Sequence, residues 1–181
     1  YLSSVQMGLW MPLSRAHGKT PREPWQYGDM ALKEVKKWIN FRHRLVPYLY
    51  HTACQTHQSG IPMIRPLVME YPKDPIAKIQ NLSYMLGDAL LISPGFDRDE
   101  YELYLPEGRW QDIESKEVYE GMTFVHIENK AFADGGTSLR VFQKEGTSIP
   151  LFAQKEVLHV PAQLWKQEDL EFMTFQKKDV D

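Results

Sequence analysis

One cysteine, Cys54, stands among 181 residues, so no intrachain disulfide can form. A lone thiol fits a reducing compartment, and the expectation is a cytoplasmic protein. No apolar run is long enough to span a bilayer, and the opening residues lack the basic, apolar and small-residue regions of a secretory leader. Charge of either sign is not in excess: the net charge is -3, which gives no reason to expect nucleic acid or an anionic membrane as partner. The six histidines are scattered without metal spacing such as HExxH, so no metal site is expected. Internal repeats and low-complexity tracts are absent. An initiating methionine is missing too. The chain opens at Tyr1 inside an amphipathic segment, and the expectation is a piece of a longer protein.

What is present is an ordinary globular composition, 43% apolar and 25% charged, with 12% aromatic residues. Aromatics serve cores and carbohydrate subsites alike, so their number decides nothing alone. Leu2, Val5, Met7, Leu9 and Trp10 form a short apolar pattern that reads as the last turns of a helix, ended by Pro12. A polar loop from His17 to Gly28 follows. Asp29 reads as an N-cap. Behind it Leu32, Val35, Ile39, Leu45, Val46, Leu49 and Ala53 recur at helical spacing. Pro47 is expected to kink this helix or split it in two, and Gly60 and Pro62 to stop it. His43, His51 and His57 lie on it and read as solvated or structural.

A further short helix is expected over Ile76 to Met85. From Asp88 the period changes. Ala89 to Ser93 is an apolar run, and Tyr101, Leu103 and Leu105 alternate with Glu102 and Tyr104. Further strand candidates are Thr123 to Ile127, Leu139 to Phe142, Val157 to Val160 and Leu170 to Phe175. Turn residues at Pro106 to Gly108, Gly121, Asp134 to Gly136 and Gly146 separate them. Short strands at this spacing predict an antiparallel β-sandwich behind a helical segment, an α+β arrangement with a boundary near Gly87.

A set of strings in fixed order adds to this reading: MGLWMPLSRAHG (Met7 to Gly18), PREPWQYG (Pro21 to Gly28), RHRLVPYLY (Arg42 to Tyr50), GIPMIRPLVMEYPKDP (Gly60 to Pro75), YMLGDALLISP (Tyr84 to Pro94), LYLPEGRWQDIESKEVYEG (Leu103 to Gly121) and KEGTSIPL (Lys144 to Leu151). Over roughly the first 150 residues, they resemble glycoside hydrolase family 31, the α-glucosidase and α-xylosidase family. The resemblance implies the last βα unit of a (β/α)8 TIM barrel over residues 1–86. It implies the proximal carboxyl-terminal β-sandwich over 87–155. Residues 156–181 then complete the sandwich or begin a distal domain.

The same resemblance implies hydrolysis of α-glycosidic bonds with retention, through two carboxyl groups about 5–5.5 Å apart. It puts both aspartates on earlier barrel strands, and neither surrounding motif occurs here, so no catalytic carboxylate is expected in this chain. Among the acids present, Glu23 lies in a substrate-side loop without a carboxylate partner. Asp29 reads as a cap, Glu70 as a loop residue and Asp88 as a turn residue. Substrate-binding residues are expected instead. His17 matches the family histidine that hydrogen-bonds sugar hydroxyls, for which an imidazole suits because one nitrogen donates and the other accepts. Arg15, two residues earlier on the same strand face, either pairs with a neighbouring carboxylate to orient the site or forms a structural ion pair. Trp25 is a sugar-stacking platform or a packing residue; Trp10 reads as core. Leu13 and Ser14 stand where many members carry an aromatic.

The implied substrate is a terminal α-linked glucose of an oligosaccharide, with α-xylosidase as the alternative. No cofactor or metal is required by this chemistry. The implied partners are that substrate and the missing amino-terminal portion of the barrel, with self-association into a homo-oligomer as a further expectation. Two other readings stay open: a free-standing carbohydrate-binding or scaffolding module built on the sandwich, and a family member that has lost catalysis.

Overall fold

The computed structural model describes residues 1–95, 100–128, 139–153 and 165–177. Helix α1 covers Leu2–Leu9. Residues 11–23 have no helix or strand, and a 3-10 turn at Pro24–Tyr27 leads into α2, Asp29–Arg44. The expected strand before the Arg15 and His17 pair is therefore not formed. A strand needs a neighbour to accept its backbone hydrogen bonds, and among the described residues no strand pairs with this segment.

Helix α3, Val46–Ser59, follows at once. The split at Leu45 is the one expected from Pro47, which sits in the first turn of α3, where a missing N–H costs nothing. Asp29 does not cap α2. Gly28 holds the cap position, with φ 91° and ψ 170°, and Asp29 is the first helical residue, where its charge meets the positive end of the helix dipole. The buried stripe is also turned from the expected one. Ala31, Glu34, Val35 and Trp38 face inward, whereas Leu32 and Ile39 are exposed.

Strand β1 spans Ile64–Pro66 and the single-turn helix α4 Leu67–Glu70. The helix expected over Ile76 to Met85 is not there. Asp74 caps one turn, its Oδ1 accepting from Ile76 N at 2.8 Å and Ala77 N at 3.2 Å. The chain then enters β2, Tyr84–Leu86, because those residues pair with β1 and with β3, Leu90–Pro94. Then come β4 (Glu100–Leu105), β5 (Arg109–Asp112), β6 (Val118–Glu120), β7 (Thr123–Glu128), β8 (Leu139–Lys144), β9 (Thr147–Phe152) and β10 (Leu170–Phe175). The strand expected at Val157 to Val160 and the turn at Asp134 to Gly136 lie outside the described residues.

Every strand pairing among the described residues is antiparallel. Six strands form one sheet in the order β1-β2-β3-β8-β5-β6, while β4 pairs with β7 and β10 with β9. The central strands β2, β3 and β8 are largely apolar on both faces, and side-chain alternation sends their apolar residues into two cores. Tyr84, Leu86, Leu90, Ile92, Leu139 and Val141 join Leu9, Trp38 and Tyr48 from the helices and Trp10 and Leu45 from the helix ends. Met85, Leu91 and Phe142 join Tyr101, Leu103, Leu105, Val125 and Ile127 of β4 and β7. Burial on both sides explains why β3 reads as a continuous apolar run rather than an alternating one.

Two glycines are dictated by these contacts. Gly87, at φ +64° in the β2–β3 turn, would place a Cβ 2.4 Å from the Tyr48 hydroxyl. Gly121 would place one 2.1 Å from the Pro106 carbonyl oxygen.

Candidate functional site

Between α1, α2 and the segment joining them lies a cleft of about 910 Å³. Arg15, His17 and Arg22 line it from the segment, and Arg42 and His43 from α2. Arg15 and His17 are both solvent-exposed, so the imidazole is open to the cleft rather than sealed in the core. Trp25 sits on the 3-10 turn, 62% exposed, between Pro24 and Tyr27, which do line the cleft. Trp10 is 2% exposed and packs edge-on against Trp38, as a core residue.

The segment keeps its shape through side chains. Tyr1 stacks on Tyr27 with ring centroids 3.6 Å apart and planes 5° apart. The Tyr1 hydroxyl donates to the Arg22 carbonyl at 2.8 Å, and the Tyr27 hydroxyl to the Pro21 carbonyl at 3.2 Å. Burial pushes the Tyr1 phenol above its ordinary pKa, and the nearby Tyr27 and Glu23 act the same way. On the other side Arg42 donates to the carbonyls of Leu9 and Pro12. Burial lowers its pKa, yet a guanidinium starts so high that it stays charged.

Among the described residues lining the cleft there are three arginines, two histidines and no aspartate or glutamate. The arrangement offers hydrogen-bond donors for hydroxyl or anionic oxygen, with the imidazoles able to accept as well. It offers no carboxylate pair. The acids weighed from the sequence lie elsewhere or are engaged. Glu23 precedes the 3-10 turn, exposed, and Glu70 pairs with Arg65 at 2.7 Å. Asp88 is exposed in the β2–β3 turn. No group of three or more His, Cys, Asp or Glu side chains among the described residues could hold a metal ion. Sequence reasoning gave no role to Arg42 or Tyr27. Arg42 heads the RHRLVPYLY string, but nothing in residue spacing tells that it reaches back 30 and 33 residues to Pro12 and Leu9.

Comparison with known proteins extends the picture. Residues 60–156 match the glycosyl hydrolase family 31 C-terminal domain, and residues 1–52 the TIM-barrel domain of the same family. Neutral alpha-glucosidase AB of Homo sapiens is 34% identical over 152 residues, covering 80% of this chain and 16% of that protein. A GH31 dextranase of Flavobacterium johnsoniae, complexed with glucose, superposes with a TM-score of 0.75 at 33% identity, over 84% of this chain and 19% of that one. The cycloalternan-forming enzyme of Listeria monocytogenes, in complex with a pentasaccharide substrate, gives a TM-score of 0.80 at 30% identity, over 96% and 18%. The chain thus spans less than a fifth of the length of each of these proteins. With a barrel-domain match followed by a carboxyl-terminal-domain match over more than half its residues, this chain belongs to glycosyl hydrolase family 31.

Proposed function

We propose that this chain ends the catalytic barrel and forms the following β-sandwich of a retaining α-glycosidase that removes terminal α-linked glucose from oligosaccharides. The two catalytic aspartates come from preceding sequence. The observation that carries the reading is the pairing of Arg15 and His17, both exposed, on one cleft within the residues that match the barrel domain. In a TIM barrel the loops after the strands carry the active site. There His17 donates one hydrogen bond to a sugar hydroxyl and accepts another, Arg15 orients a carboxylate supplied across the barrel, and Trp25 offers a flat apolar face to a sugar ring.

The surface of the barrel end supports the need for a partner. Leu13, Met30, Leu32 and Ile39 are all exposed, a set of apolar side chains that a closed barrel would cover. The partner is the remainder of the barrel, and without it the isolated chain self-associates through the same residues.

The test is kinetic. In the protein with its complete barrel, H17A is expected to lower kcat/KM for an aryl α-glucoside by about 10- to 100-fold, the effect of losing two sugar hydrogen bonds worth together about 1.4–2.8 kcal/mol. Unchanged kinetics would remove His17 from the site. An aryl α-xyloside run in parallel decides the sugar. The 181-residue chain alone is expected to turn over neither, and clear turnover by it would refute the division of labour proposed here.

A further inference from the structure

We propose that Arg42 is a positioning residue of this site: its guanidinium fixes the exit of α1 and so sets where Arg15 and His17 stand. The inference rests on the reading of His17 given above. Leu9 is the last residue of α1, and its carbonyl is one of the four that a helix leaves without an internal partner. The backbone satisfies two of its neighbours, since Trp10 N donates to Met7 O at 3.1 Å and Met11 N to Gly8 O at 3.2 Å. Leu9 O accepts from Arg42 Nη1 instead. The other arm of the fork, Nη2, donates to Pro12 O at 3.0 Å.

One planar group therefore grips the chain at two points, the end of α1 and the middle of the bend at residues 11–13. The second point lies three residues before Arg15 and five before His17, along a stretch with no helix or strand to hold it. Among the described residues no carboxylate pairs with Arg42, so its charge is spent on these two carbonyls. Its seat is α2, whose Val35 and Trp38 are buried, so the grip has a rigid base. Arg42 also lines the same cleft as Arg15 and His17.

Lysine cannot reproduce this, because an ammonium on a flexible stem lacks the planar fork that reaches two acceptors at once. The experiment uses R42K, which keeps the charge and most of the packing, and R42Q as a second variant, both in the protein with its complete barrel. R42K is expected to fold with an unchanged circular dichroism spectrum and to lose about 10- to 100-fold in kcat/KM, the range a small displacement of a binding group produces. The loss should appear as a raised KM. A merely structural role would lower the active fraction, hence apparent kcat, at constant KM. In the H17A background the same substitution should cost less than about threefold, because coupled residues are not additive.

On the 181-residue chain, trypsin should cut after Arg15 and Lys19 faster in R42K and R42Q than in wild type. R42K with wild-type kcat/KM, while H17A is impaired, would overturn the proposal and leave the site reading standing. So would losses that multiply in the double variant, or variants that both fail to fold. A silent H17A would remove the site reading and this inference with it.

Discussion

Tyr48 joins the helices to the sheet through one hydroxyl, and its removal has a calculable cost. The side chain is 2% exposed on α3. Its Oη donates to the Leu86 carbonyl at 2.7 Å and accepts from the Ala89 amide at 3.2 Å, the two residues that flank the turn into β3. Burial raises the phenol far above its ordinary pKa, so it remains a donor at any working pH. Y48F leaves the ring in place and deletes both bonds. Leu86 and Ala89 are 0% and 2% exposed, so water cannot replace the hydroxyl without repacking. An orphaned buried N–H costs about 1–3 kcal/mol, and the carbonyl about 1 kcal/mol more, for a total of about 2–4 kcal/mol. At this chain length that corresponds to a fall of roughly 5–15 °C in melting temperature. Urea unfolding followed by tryptophan fluorescence measures it. A loss below about 0.5 kcal/mol, the size of an ordinary surface substitution, would refute the assignment of this hydroxyl as the link between the two parts of the fold.

Three other outcomes follow from the same structure. G87A should destabilise strongly, since the new methyl meets both positive φ and the Tyr48 hydroxyl; in a Y48F background its cost should shrink, because the nearest obstacle then recedes from 2.4 Å to the ring carbon at 3.0 Å. For Asp74, burial raises the pKa, but bonds from the Tyr104 hydroxyl at 2.6 Å and the amides of Ala77 and Ile76 outweigh it and hold the carboxyl below its ordinary value. A lowered folded pKa gives stability that is present above about pH 3.9 and lost as pH falls through the folded value, so D74N should flatten the acid limb of a stability–pH curve. His126 bonds Glu102 at 2.8 Å, which outweighs the loss of hydration and, with Glu100 and Glu128 nearby, raises the imidazole pKa. Its stabilising charge is present below about pH 6.5 and lost as pH rises through the higher folded value. An NMR titration should find that ring above about 6.5, and E102Q should bring it back toward that value.

Much of the architecture was legible because it follows from local rules. Pro47 announces the break between α2 and α3, and the alternation around Tyr101, Leu103 and Leu105 announces β4. What escaped depends on neighbours. β1 and β2 are three residues each, too short for a period of two to register, and they exist because β2 pairs with β3 on one side and with β1 on the other. Tyr84 to Leu86 carries apolar residues that suit a helix equally well, and the pairing decided it. On α2, apolar spacing marks Leu32 and Ile39 as core, but the helix buries Glu34 and Trp38 instead. Periodicity reveals how many apolar faces a helix has. It does not reveal which one this part of the chain can cover.

The candidate site follows the same logic one level up. His17 and Arg15 were chosen from a string of residues in family order; by residue type alone neither differs from any exposed loop side chain. Their setting was hidden because it is made by contacts across the sequence: Tyr1 on Tyr27, and Arg42 on Leu9 and Pro12. A barrel strand would hold such a segment through backbone ladders on both sides. Here the side chains of Tyr1, Tyr27 and Arg42 hold it, and each bond is with a group that regular structure leaves open. The Leu9 carbonyl is a helix end, and the Pro21 carbonyl lies in a proline-rich loop. Sheet pairing from the rest of a barrel would add to these bonds rather than replace them, since Arg42 grips the bend before the expected strand and the tyrosines grip the loop after it. The side-chain clamps and the missing ladder thus act on different stretches of one segment, and the position of His17 depends on both.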